Sequence, residues 1–236
     1  MQPIPTTEPV RLTGRLDPPP NRWLWLLKWL LAIPHYIVLI FLWIAVWVVT
    51  IIAFFAILFT ARYPRPLFDF TVGVLRWSWR VGYYSYSVLG TDRYPPFTLA
   101  EREDYPATLS VVYPERLSRG LVLVKWWLLA IPHYLLGGAI AGSSYSGYRW
   151  MDDAAGRYGT PSLVGLLVLY VGLTLLFAGR YPRGIYDLLM GIQRWGYRVS
   201  CYVSLLTDRY PPFRLDQGGD EPAAGTRPVT PGAPNE

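Results

Sequence analysis

Cysteine, histidine and charge are all scarce in this chain of 236 residues. The lone cysteine, Cys201, excludes an intrachain disulfide and any zinc site built on thiolates. With His35 and His133 as the only histidines, a histidine-rich metal site is not expected either, and no cofactor is called for. Charged residues make up 16% of the chain, against about 25% in a typical soluble domain. No nucleophile elbow, phosphate-binding glycine loop, HExxH or CxxC occurs. Without an acid–base–nucleophile set, an enzyme is not expected. Residues 1–22 are polar and rich in proline, without an apolar run, so no cleaved signal peptide is expected.

What the chain does have is apolar and aromatic mass. Hydrophobic residues reach 52%, with 11 Trp and 18 Tyr, and those two aromatics concentrate at membrane interfaces. The formal charge of +6 suits anionic lipid headgroups. Basic residues interleaved with aromatics also occur in nucleic-acid binders, but here they flank apolar runs, so no nucleic-acid partner is expected.

Self-similarity is the most specific signal. Ala32-Ile33-Pro34-His35-Tyr36 returns as Ala130-Ile131-Pro132-His133-Tyr134. Arg62-Tyr63-Pro64-Arg65 returns as Arg180-Tyr181-Pro182-Arg183, with Asp69 and Asp187 at matching places. Gly73, Arg76, Trp77, Arg80 and Tyr84 match Gly191, Arg194, Trp195, Arg198 and Tyr202. Thr91 to Phe97 returns unchanged as Thr207 to Phe213. Four blocks in one order imply two tandem units, about 9–99 and 106–215. Between its first two blocks the second unit carries about 20 extra residues, a polar stretch at 142–161 expected to be a water-exposed loop. A flexible start at 1–8 and a disordered tail at 216–236 complete the organisation. These blocks resemble a bacterial membrane family known as domain of unknown function 4389. The resemblance implies a multi-spanning membrane protein and carries over no activity and no catalytic residue.

From Trp23 to Thr60 the only charged or imidazole side chains are Lys28 and His35. One helix of that length would exceed a hydrocarbon core of about 30 Å. Two arrangements fit: a surface helix kinked at Pro34 and followed by one span, or a tight helical hairpin. The hairpin is preferred because the extra loop of the second unit falls opposite 43–45 and Trp43 and Trp47 favour interfaces. Arg116, Arg119, Lys125, Arg180 and Arg183 flank that loop, which itself is net neutral, in keeping with a cytoplasmic placement of the flanks. In the second unit the same logic gives spans at Leu121–Ala141 and Ser162–Ala178, with Lys125 snorkelling to headgroups.

A third helix follows in each unit, about Leu67–Leu89 and Ile185–Leu206. Asp69, Gly73, Arg76 and Arg80 share one face, so an amphipathic helix in the membrane interface is preferred over a buried span. Alternation at 10–17 and 107–112 predicts short strands, with Phe97–Leu99 and Phe213–Leu215 as pairing partners. The expected fold is thus an all-α integral membrane protein with short β-strands, two repeats each of hairpin plus interfacial helix. It would sit in the inner membrane, multi-pass, with both termini cytoplasmic.

The candidate polar site is His35 with His133, weighed between relieving the backbone carbonyl left bare by Pro34 or Pro132 and relaying protons. Candidate contacts to phospholipid headgroups are Arg62, Arg65, Arg76, Arg80, Arg180, Arg183, Arg194 and Arg198. Asp69 and Asp187 are expected as helix-start charges or arginine partners. Asp92-Arg93 and Asp208-Arg209 read most simply as a turn and a surface ion pair ahead of Pro-Pro. The expected function is a membrane scaffold acting on the lipid bilayer or a membrane-protein partner, or as a homo-oligomer. The alternative is a small transporter or channel at the repeat interface.

Overall fold

The computed structural model describes residues 8–16, 20–141, 162–215 and 218. The expected loop at 142–161 lies outside them, as do nearly all of 1–8 and of the 216–236 tail. The described chain is mostly helical with two short strands. In order these are β1 (Val10–Gly14), α1 (Trp25–Thr60), α2 (Arg65–Tyr84), β2 (Ala107–Val111) and α3 (Arg119–Val124). A π-helical turn (Lys125–Leu129), α4 (Ile131–Ala141), α5 (Leu163–Ala178) and α6 (Arg183–Val203) complete the chain.

The expected hairpin in the first half is not there: α1 is one helix of 36 residues. Its sequence explains this, since no Gly, Pro or Asn stands at 43–45 to turn the chain. Pro34 removes one backbone donor without ending the helix. The helix stops at Ala61, which turns left-handed with φ 56° while its N–H bonds to the Ile57 carbonyl. Pro64 and Pro66 then open α2. In the second half the apolar run is divided, with α3–α4 and α5 separate.

Lys28, Ala32, His35, Leu39, Val46, Ala53 and Ile57 form a buried stripe along α1 at alternating helical spacing. The rest of its surface is apolar yet exposed, including Ile40, Phe41, Ile44, Trp47, Phe55 and Phe59. By length and composition α1 alone among the described helices qualifies as a membrane span. It packs antiparallel to α2. The Tyr36 and Ser85 hydroxyls lie 2.7 Å apart, Trp43 Nε1 donates to Ser78 Oγ at 3.1 Å, and Leu39 meets Trp77 and Val81.

β1 and β2 pair with each other, antiparallel, and not with the expected 97–99 and 213–215 segments. Leu12 faces Leu109 at the centre of the register. The inner helices α2 and α6 hold this ribbon. Trp79 Nε1 donates to the Thr13 carbonyl at 3.1 Å, and Tyr186 donates to the Gly14 carbonyl at 2.6 Å. The Tyr83 and Tyr186 hydroxyls meet at 2.9 Å. Glycine is required at position 14, because a Cβ there would lie 2.6 Å from the Tyr83 ring.

The two apolar runs are head to tail. At the end of α1 the Ala61 carbonyl accepts from Leu117 N–H at 2.9 Å, just before α3. Near its start, the Trp25 ring lies about a contact distance from Gly172 on α5, and the Arg22 guanidinium covers Gly179. The second run therefore begins where α1 finishes and finishes where α1 begins.

Candidate functional site

Two lysines that the sequence does not mark as buried organise the site. Lys28 is 1% exposed, and its Nζ lies 2.9 Å from Asp92 Oδ1 while donating to the Thr91 carbonyl at 2.7 Å. Lys125, fully buried, repeats this with Asp208 Oδ1 at 2.8 Å and the Thr207 carbonyl at 3.0 Å. The second carboxylate oxygen takes a backbone N–H just ahead of each apolar helix, from Asn21 before the turn into α1 at 2.5 Å and from Ser118, the N-cap of α3, at 2.6 Å. One aspartate thus clamps a helix start and neutralises the lysine a turn or two further in. This corrects two expectations: Lys125 does not snorkel outward, and Asp92 and Asp208 pair with buried lysines where surface ion pairs were expected. The signal is present in the sequence, as a lysine ahead of each Ala-Ile-Pro-His-Tyr and an aspartate in each Thr-Asp-Arg-Tyr-Pro-Pro-Phe.

Three residues separate Lys28 from Ala32, and four separate Lys125 from Ala130. The π-helical turn at Lys125–Leu129 takes up the extra residue. Both the lysine and the histidine of the second half therefore reach the same kinds of partner as in the first.

Each histidine sits in an aromatic cage. Phe97 stacks on His35 with centroids 3.9 Å apart, and Tyr94 and Trp77 close the sides. Phe213, Tyr210 and Trp195 do the same at His133, with Phe213 at 4.4 Å. Trp77 Nε1 donates to His35 Nδ1 at 3.2 Å. His35 Nε2 and both ring nitrogens of His133 have no hydrogen-bond partner among the described residues. The imidazole is thus not bonded to the carbonyl that Pro34 leaves bare. Tyr94 donates to the Leu31 carbonyl at 3.1 Å, next to the Leu30 carbonyl that Pro34 leaves bare. The repeated Thr-Asp-Arg-Tyr-Pro-Pro-Phe block is a plug: its Asp grips the lysine and its Tyr and Phe cover the histidine.

The arginines divide into two groups. Arg80 and Arg194 are 2% and 1% exposed, Arg198 is buried, and Arg76 is half-buried. Arg76 Nε donates to the Leu109 carbonyl and Arg194 Nε to the Leu12 carbonyl, each at 2.9 Å. Arg76 also pairs with Glu101 at 3.1 Å, and Arg80 donates to the carbonyls of Thr98 and Ala100. The expectation that these four faced phospholipid is corrected, because their helix face carries the strand ribbon and the plug. Arg62, Arg65, Arg180 and Arg183 remain at the surface. Arg65 lies 3.4 Å from Asp69, while Asp187 is half-buried.

At the seam between α1 and α3, Arg62, Arg116 and Arg119 line a cavity of about 460 Å³ with Thr60 and Ala61. None of the three has a carboxylate within ion-pair distance among the described residues. Among the described residues no cluster of three or more metal-ligating side chains occurs. Cys201 lies fully buried on α6, and burial pushes its thiol up to about 12.

A protein-family model described as Domain of unknown function (DUF4389) matches residues 22–98 and 160–214, two segments consistent with a two-copy arrangement. No curated protein and no solved structure matches the chain.

Proposed function

We propose that this chain, which belongs to the DUF4389 family of unknown function, is a non-catalytic scaffold seated in the bacterial inner membrane and built from two copies of one unit. The observation that carries this reading is the exposed apolar surface of α1, continued by Leu135, Leu166, Leu169 and Phe177 on α4 and α5. Contiguous apolar surface of that extent marks a membrane or partner interface. The recurring polar residues support the same reading. They close internal locks and cages instead of converging on a reactive centre. Arg62, Arg65, Arg180 and Arg183, at the surface beside the helix ends, suit anionic phospholipid headgroups.

The test is co-flotation of the purified full chain with vesicles of phosphatidylcholine alone or mixed with phosphatidylglycerol. Binding should be retained on both and strengthened by phosphatidylglycerol. Replacing the four arginines by Gln should shrink the difference, by about 1 kcal/mol for each arginine replaced. A chain that stays in solution with either vesicle would sink the proposal.

A transporter or channel is the second reading, favoured by the unpartnered ring nitrogens of His35 and His133. It requires a proteoliposome flux that His35→Ala with His133→Ala abolishes. Equal flux in the double variant, or none in the parent, removes this reading.

A further inference from the structure

The apolar exposed surface of α1 runs from Leu26 to Phe59. Its 36 residues extend about 54 Å, nearly twice a hydrocarbon thickness of about 30 Å. To lie wholly within that thickness while crossing, the helix would tilt by roughly 56°, outside the range of about 0–40° seen for membrane spans.

What packs along α1 constrains it further. α2 lies against α1 so that Ser78 meets Trp43, near the midpoint of the long helix. At that level runs the segment that Arg80 and Arg76 hold through Thr98, Ala100 and Glu101, and its Leu99 packs on the Leu39–Trp77–Val81 cluster shared by α1 and α2. Glu101, Arg102, Glu103 and Asp104 follow there and are exposed, Asp104 by 76%. The middle of α1 is therefore touched by a segment that leads straight into four charged, solvated side chains. The pairing of the halves adds an independent constraint. Arg76 bonds Leu109 and Arg194 bonds Leu12, so a local two-fold axis passes through the Leu12–Leu109 pair. With the two apolar runs head to tail, a crossing orientation would put this axis in the bilayer midplane, and with it the exposed side chain of Arg11. Charged side chains at that depth are strongly disfavoured.

We infer that α1 and the α4–α5 run lie along the membrane, sunk into one leaflet, with the two-fold axis along the membrane normal and α2, α6 and the strand ribbon on the water side. The chain then embeds without crossing. This rests on the membrane seating proposed above. The occupant of the apolar face is the acyl region of a single leaflet rich in anionic lipid. Arginines stand where that face meets headgroups: Arg62, Arg116 and Arg119 at one seam, Arg22 and Arg180 at the other.

The test uses the full chain in sealed phosphatidylcholine–phosphatidylglycerol vesicles. Trp23→Cys with Arg62→Cys places one thiol at each end of α1, and buried Cys201 stays unreactive. After treatment with a membrane-impermeant maleimide, each molecule should carry two labels or none, read by intact mass. A population carrying one label would show the ends on opposite sides and overturn the inference while leaving the membrane scaffold standing. Polarised infrared spectra of the unsubstituted chain in oriented bilayers supply a second measurement, free of any folding defect. Helix axes parallel to the plane support the inference, and axes along the normal overturn it. A chain that does not associate with vesicles, its apolar face covered by a second copy, overturns the inference and the scaffold reading together.

Discussion

Asp92 and Asp208 each do two jobs with one carboxylate, so the loss of either is costly. Asp92→Ala leaves Lys28 buried with only the Thr91 carbonyl, and leaves the Asn21 N–H ahead of α1 without its acceptor. Removing one partner of a buried pair costs about 3–5 kcal/mol. Asp69→Ala breaks an exposed i,i+4 pair with Arg65 and should cost less than about 1 kcal/mol. Denaturant titration of both variants in the same detergent should show this ranking. Equal losses would mean that the Lys28–Asp92 pair is not the clamp described. At Cys201 the expectation is chemical: a buried thiol held near 12 has almost no thiolate at neutral pH. Thiol reagents should leave the native chain unmodified and react once per chain only after denaturation. Prompt labelling of native protein would refute the burial. Neither lysine could be placed from the sequence as a buried ion, because its partner lies 64 or 83 residues away and a lysine near an apolar helix start ordinarily reaches water.

At the level of elements, the π-helical turn offers the sharpest experiment. Deleting Trp127, a half-exposed residue, converts Lys-Trp-Trp-Leu-Leu-Ala into the Lys-Trp-Leu-Leu-Ala found at Lys28–Ala32. The turn should relax to α-helix while Lys125 and His133 keep their partners. The deletion variant should therefore melt within a few degrees of the parent in a thermal scan, where a one-residue shift of register in a packed helix would ordinarily be severe. A collapse of the fold would show that the inserted residue does more than restore register. Helix positions themselves are legible in the sequence: the α2, α4, α5 and α6 cores all fall within the segments that periodicity outlines. Which face of α2 and α6 meets what is not. An arginine stripe on an amphipathic helix looks the same whether its guanidinium groups reach lipid phosphates or the carbonyls of a strand ribbon formed from distant segments. The length of α1 is obscured for a related reason. The loop in the second half suggests a turn in the first, but the residues of the first half contain nothing that turns.

For the whole molecule, the halves are joined less by the chain between them than by exchanged contacts. β1 precedes α1 yet is held by Arg194 and Tyr186 of α6, and β2 precedes α3 yet is held by Arg76 of α2. None of these bonds involves residues 142–161. Cleavage within that stretch, which parts α5 and α6 from the rest of the chain, should leave the two fragments associated through gel filtration in detergent, and fragments that part would contradict the hold of α6 on β1. Repetition is the feature most legible in the sequence, since the motif blocks recur residue by residue. Pairing is not, because each strand alternates equally well beside a partner from its own half or from the other.

The antiparallel ribbon has one more implication, for ancestry. A polypeptide consisting of one such unit would hold a strand with no mate and an arginine aimed at a carbonyl it lacks. Two identical chains related by a dyad would satisfy both. A gene for that homodimer, once duplicated in tandem and fused, would yield the present chain. Fusion would also end the requirement that the two sides stay alike, leaving one free to acquire an extra helical residue and a long polar insert that its sister never took on.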